Sequence, residues 1–176
     1  MKNIDWNNVT EATDSRLTPG GYVCGIIRAE DVPDKEYLRI EFDIAEGPYK
    51  NHFREMRDRM NLDNWPRAGV LIRSYKEKAQ PYFKAFLTAL QNSNAGYTFK
   101  NDESTLSRKL VGMVLGEEEY EYNGEVKTRL YVNAVRSVKA IQNGDFAVPN
   151  KKTLPAKAPS VDAYAPISDD DGDLPF

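Results

Sequence analysis

The dipeptide Asn123-Gly124 constrains this chain more than any other feature. Both positions tolerate positive φ, and between apolar and aromatic runs such a pair dictates a two-residue hairpin turn. The stretch "GEEEYEYNGEVKTRLYV" then has one register: Tyr122 opposite Glu125, Tyr120 opposite Lys127, Glu118 opposite Arg129 and Gly116 opposite Tyr131. An acid–base pair and an aromatic–cation pair meet across the strands, contacts of the kind that fix register. The second strand runs on into "NAVRSVKAI".

Upstream the strands are spelled differently. "GGYVCGIIRAE" (20–30) follows a Pro-Gly-Gly turn signal and is β-branched and aromatic, with a weak point at Gly25. "YLRIEFDIAEG" alternates, with Leu38, Ile40, Phe42 and Ile44 on one face and Tyr37, Arg39, Glu41 and Asp43 on the other. "KNHFREMRDRM" is open to strand or short helix, with strand favoured at its start, and "AGVLIRSY" reads as a further short strand. The period changes in "EKAQPYFKAFLTALQNSNAG": Phe83, Phe86, Leu87 and Leu90 fall at helical spacing before an Asn94-Ala-Gly96 stop. A mostly β domain follows, and five strands with a helix between the third and fourth are the pattern of an OB-fold barrel. An open sheet packed on the helix satisfies the same pattern. Residues 1–18 are a polar lead-in, 19–143 the domain, 144–168 a linker rich in Pro, Ala and Lys, and 169–176 an acidic tip. A random-coil linker of that length spans roughly 25–30 Å.

Composition removes several classes of function. Cys24 and His52 are each alone, so one chain offers neither a disulfide nor a Cys/His zinc site. The N-terminal segment lacks an apolar run, and no stretch approaches the roughly 20 apolar residues that span a bilayer. A soluble, cytoplasmic protein without membrane association is expected. Neighbouring carboxylates of Glu117, Glu118, Glu119 and Glu121 alternate between strand faces, and Arg129 is placed to neutralise Glu118. A solvated hairpin flank therefore outweighs a Mg²⁺ site. No phosphate-cradling Gly-rich loop and no nucleophile–base pair is legible. The expectation is a binding protein, not an enzyme, with no cofactor and no metal.

The net charge of −3 hides a segregation. From Lys50 to Lys84 nine Lys/Arg face four Asp/Glu, whereas Val161–Phe176 holds five Asp and no cation. Aromatics interleave with the cations: Tyr49, Lys50 and Arg54; Arg73, Tyr75 and Lys76; Lys127, Arg129 and Tyr131; and, on the outward face of the first two strands, Arg28, Tyr37 and Arg39. Single-stranded nucleic acid asks for this mixture, cations tracking phosphates and rings stacking on bases. Phe53 and Trp65 divide evenly between that role and the core.

The chain ends "SDDDGDLPF": Asp169, Asp170, Asp171 and Asp173, then Leu174, Pro175 and Phe176 beside the α-carboxylate. An exposed terminal ring gains nothing in water, whereas a gripped tail uses it to fill a pocket while carboxylates meet basic residues at the rim. This ending resembles the acidic C-terminal tip of bacterial single-stranded DNA-binding proteins, and the order of domain, Pro-rich linker and tip is also theirs. Gly172 interrupts the acids, a departure from that pattern. The usual core sequence of that family is absent. Instead "LIRSYKEKAQPYFKAFLTALQNSNAGY" and "KLVGMVLGEEEYEYNGEVKTRLYV" resemble proteins from the replication regions of phages of Gram-positive bacteria, a likeness covering roughly residues 17–150. The resemblance implies a phage-encoded, homo-oligomeric OB-fold protein that coats single-stranded DNA. Its tip would dock host or phage replication, recombination or repair proteins. The rivals are a non-DNA adaptor carrying the same tip and a Mg²⁺-dependent nuclease of branched DNA.

Overall fold

Alternation in the sequence becomes one antiparallel sheet in the computed structural model, which describes residues 2–5, 7 and 16–156. Its strands are β1 (Gly20–Val32), β2 (Tyr37–Ile44), β3 (Val70–Ser74), β4 (Leu110–Tyr122) and β5 (Glu125–Arg136), in the order β3-β2-β1-β4-β5. β1 serves two neighbours, pairing with β4 through residues 20–25 and with β2 through residues 24–32. A register shift between Ile26 and Arg28 lets it do both. It also sends Arg28 and Glu30 outward while Ile26 and Ala29 stay opposite Phe42 and Ile40. The expected barrel is not closed: no ladder joins β3 to β5 among the described residues, and the sheet stays open.

Leu38, Ile40, Phe42 and Ile44 are all buried, as their alternation requires. They meet Cys24, Ile26, Leu71, Val111, Met113 and Leu115 in the main core. Helix α2 (Gln80–Ser93) connects β3 to β4 and caps that core with Phe86, Ala89 and Leu90. Asn94 fastens its end, since the side-chain amide donates to the Leu90 and Leu110 carbonyls and accepts from the Leu110 N–H. β4 is buried on both faces. Val114 and Val23 form a second cluster with Ile141 of α3 (Val138–Gln142), backed by Phe146.

The hairpin register is the one dictated by Asn123-Gly124, with all four cross-strand pairs in place. Asn123 and Gly124 both take positive φ, 51° and 78°. The Glu118–Arg129 ion pair closes at 2.7 Å. The aromatic–cation contact is diagonal rather than direct: Lys127 lies over Tyr122 and Arg129 over Tyr120.

Of the two readings open for "KNHFREMRDRM", the structure shows the helix and not the favoured strand: α1 (His52–Met60). Two local causes act together. Asn51 adopts a left-handed conformation that ends any extended run. Asp43, buried on the last turn of β2, then supplies the cap from a distance: Oδ1 accepts from the N–H groups of Ile44 and Phe53, and Oδ2 from that of Arg54. α1 buries Phe53 edge-on against Phe42, beneath Trp65, whose indole N–H donates to the Phe42 carbonyl at 3.0 Å. Both aromatics are therefore core. Gly69 must be glycine here, because a Cβ would lie 2.6 Å from Trp65 Nε1 and 2.9 Å from the Phe53 ring. Gly69→Ala is expected to cost about 1–3 kcal/mol, read as a lower urea midpoint at unchanged slope.

Residues 144–154 fall in the segment expected to be linker, and the structure holds them against the sheet. Phe146 lies over Gly21 and Pro149 over Gly116, positions where any Cβ would collide. Lys152 then bridges in parallel to β4, its N–H donating to the Glu117 carbonyl and its carbonyl accepting from the Glu119 N–H. Lys151 pairs with the Glu119 carboxylate at 3.2 Å, and the Leu154 N–H donates to the same group. The Leu154 N–H and the Lys151 ammonium hold Glu119 below the usual carboxylate range.

Candidate nucleic-acid interface

The outward face of β1–β3 presents Arg28, Tyr37 and Arg39 together, as alternation requires, with the exposed Ile72 beside Arg39. Its charge is locally cancelled. Arg28 pairs with Glu30 at 3.0 Å and Arg39 with Glu41, each partner lying two residues along the same strand. A polyanion gains little from a face whose cations already hold carboxylates.

Arg73 and Tyr75 lie elsewhere. Arg73 is opposite Leu38 on the inner side, where burial lowers its affinity for a proton and leaves Nε without a hydrogen-bond partner among the described residues. Tyr75 packs on Phe83 and donates its hydroxyl to Asp31 at 2.5 Å. Burial, Asp31 and Glu103 push the phenol upward, and those carboxylates repel a phosphate chain. Lys76 is exposed next to them.

The hairpin residues form a ladder of their own. Lys127 covers Tyr122 and lies 4.0 Å from Glu125, Arg129 is held by Glu118, and Tyr131 lies under the Lys152 ammonium at 4.0 Å. Tyr49 stands edge-on to Tyr22 and His52, with Lys50 and Arg54 exposed on either side of the turn into α1.

A concave cationic surface lies between α1 and the base of the hairpin. A cleft of about 420 Å³ is lined by Arg16, Arg59 and Arg129, by the His52 ring, and by Leu17, Met56 and Leu130, with Glu117 as its one carboxylate. It occupies the side on which the sheet fails to close, flanked by Ala68 of the turn that leads into β3. Its volume is that of a pocket for a small organic group. Desolvation and the Arg59 charge lower the His52 imidazole below its ordinary value, outweighing Asp43 and Glu55. Near neutral pH the cleft thus offers an uncharged aromatic face between guanidinium groups.

Of the expected interface residues only Arg129 lines this cleft. Arg16, His52, Met56 and Arg59 were missed, although a signal existed. At helical spacing residues 52, 56 and 59 share one face, which reading the segment as a strand concealed. The tip residues Asp169–Asp171 and Asp173–Phe176 lie outside the described residues.

Cys24 is fully buried and its thiol is pushed far up by that burial, which makes it a poor nucleophile. Among the described residues no group of three His, Cys, Asp or Glu is placed to hold a metal ion. No helix among them is long and apolar enough to cross a membrane. No family model matches the chain, and no curated protein matches it.

Proposed function

We propose that this protein binds single-stranded DNA in the cleft between α1 and the hairpin. The observation that carries this reading is the cleft's composition: Arg16 and Arg59, with Arg129 held by Glu118, around the His52 ring and an apolar floor. Cations at the rim follow phosphates while a splayed base meets the His52 ring and Met56, the division of labour used for single strands. Duplex DNA keeps its base faces stacked and gains only the phosphate contacts. The strand order supports an OB-type arrangement left open on one side: β1 is shared between the β2–β3 meander and the β4–β5 hairpin, with a helix joining β3 to β4. The sequence resemblance supports a setting in phage replication or recombination, with the acidic tip docking host or phage enzymes.

The test is a fluorescence titration with poly(dT) against a duplex of equal length, from about 50 to 300 mM salt. Single strands are expected to bind far more tightly, with log K falling by about 0.7 per phosphate contact per unit log[salt]. Equal affinity for duplex would overturn the reading. Absence of any single-strand affinity at low salt would favour an adaptor that works through its tip.

A further inference from the structure

A second pocket lies at the opposite end of β3, with chemistry inverse to that of the cleft. It is a hollow of about 210 Å³, room for roughly one large side chain. Leu38 forms its floor, the rings of Tyr75, Phe83 and Phe99 its walls, and the carboxylates of Asp31 and Glu103 stand at it. Tyr75 and Phe83 are 6.0 Å apart and tilted by 32°. The Tyr75 hydroxyl engages Asp31 Oδ1 and leaves Oδ2 without a hydrogen bond among the described residues. Neither Asp31 nor Glu103 has an ion-pair partner among them. Arg73, two residues before Tyr75, turns its Nη1 to the Ile72 carbonyl instead.

We propose that this pocket binds a guanidinium group, the arginine side chain of a partner protein. Three aromatic rings line the pocket and attract a cation through their quadrupoles, and two carboxylates without an ion-pair partner among the described residues select against any anion. A guanidinium suits the site better than an ammonium: it is flat, weakly hydrated, stacks on rings and accepts two-point pairing with a carboxylate. A polypeptide source fits the position. The pocket holds one side chain, and it opens where edge strand β3 ends, beside a strand margin that no other strand covers among the described residues. Assignment of this site does not depend on DNA binding in the cleft.

The experiment is an NMR titration of the ¹⁵N-labelled full chain with N-acetyl-arginine amide, N-acetyl-lysine amide, the neutral isostere N-acetyl-citrulline amide, and the peptide acetyl-Val-Arg-Val-amide. Saturable shifts are expected at the amides of Asp31, Tyr75 and residues 99–103 with the arginine probes. The lysine probe should bind several-fold more weakly and the citrulline probe not at all. The peptide should bind at least threefold more tightly than the single amino acid, because its backbone adds contacts along β3. Glu103→Gln should weaken the arginine probes at least fivefold while leaving poly(dT) affinity and melting temperature unchanged. Citrulline binding as tightly as arginine, or shifts absent from this pocket, would overturn the site. Lysine binding equally would overturn its guanidinium character. A peptide no tighter than the amino-acid amide would overturn the polypeptide source.

Discussion

Asp43→Ala is expected to lower the unfolding free energy by about 3–5 kcal/mol, a large share of the stability of an ordinary domain. The side chain is 4% exposed, yet it makes no ion pair among the described residues. Its hydrogen bonds among the described residues are to three backbone N–H groups, two of which open α1. A hydrogen bond to a charged acceptor contributes about 1.5–3 kcal/mol, and a buried donor left unmatched costs about 1–3 kcal/mol. The contributions share one carboxylate and do not add fully. Asn51, in the capping position, makes no side-chain hydrogen bond and cannot substitute. Asp43→Asn keeps one acceptor and should lose about half as much. Urea melts followed by circular dichroism measure both variants. A loss below about 0.5 kcal/mol, the range of an ordinary surface substitution, would show that packing of Phe53 holds the helix without the cap. Since α1 carries His52 and Arg59, the alanine variant should also bind poly(dT) more weakly at temperatures where it remains folded.

The other large effect concerns charge. Arg16→Ala with Arg59→Ala should weaken poly(dT) binding roughly a hundredfold at low salt, about 1.4 kcal/mol for each tenfold step. The salt slope should become shallower by about 1.4, two contacts at about 0.7 each. Melting should be unaffected, because both side chains are exposed. Arg28→Ala is the contrast: its side chain is 62% exposed but already holds Glu30, so affinity and slope should hardly move. The reverse pattern, Arg28 mattering and the cleft arginines not, would place the strand on the outward face of β1–β3.

What the sequence made legible follows the range of the forces involved. The hairpin register was readable because a two-residue turn leaves no freedom: once Asn123 and Gly124 are at the apex, Glu118 must meet Arg129. β2 and α2 were readable because burial imposes periods of two and 3.6 on the residues themselves. α1 was not, because its cap lies eight residues upstream of Asn51, and its apolar residues Phe53, Met56 and Met60 are too few to outweigh the charges between them. The candidate cleft was hidden by the same error. Its lining gathers residues from 16 to 130, and only Arg129 stood beside enough aromatics to draw notice in one dimension. The roles expected of Arg73 and Tyr75 rested on local composition, which does not say that β3 turns both toward α2. The open sheet likewise depends on how far β3 and β5 curve, a property no single segment encodes.

The anchoring of residues 146–154 to β4 sets the length of a leash. Counted from Asn143, where the domain was expected to end, the chain leading to Asp169 is about 11 residues longer than when counted from Leu154. At about 3.3–3.6 Å per residue that difference shortens the greatest distance the tip can travel by about 36–40 Å, whatever path residues 157–168 take. The point of departure changes as well. Lys152 is hydrogen-bonded to the Glu117 carbonyl, and Leu154, Pro155 and Ala156 run on beside Glu119, Glu121, Gly124 and Val126, so the described chain leaves along the hairpin arm toward its turn and not behind α3. Under the proposed docking role, an enzyme that takes hold of Phe176 would be confined to a sphere centred on the hairpin arm. Its local concentration there is set by where this strap is fastened more than by how tightly the tip is gripped.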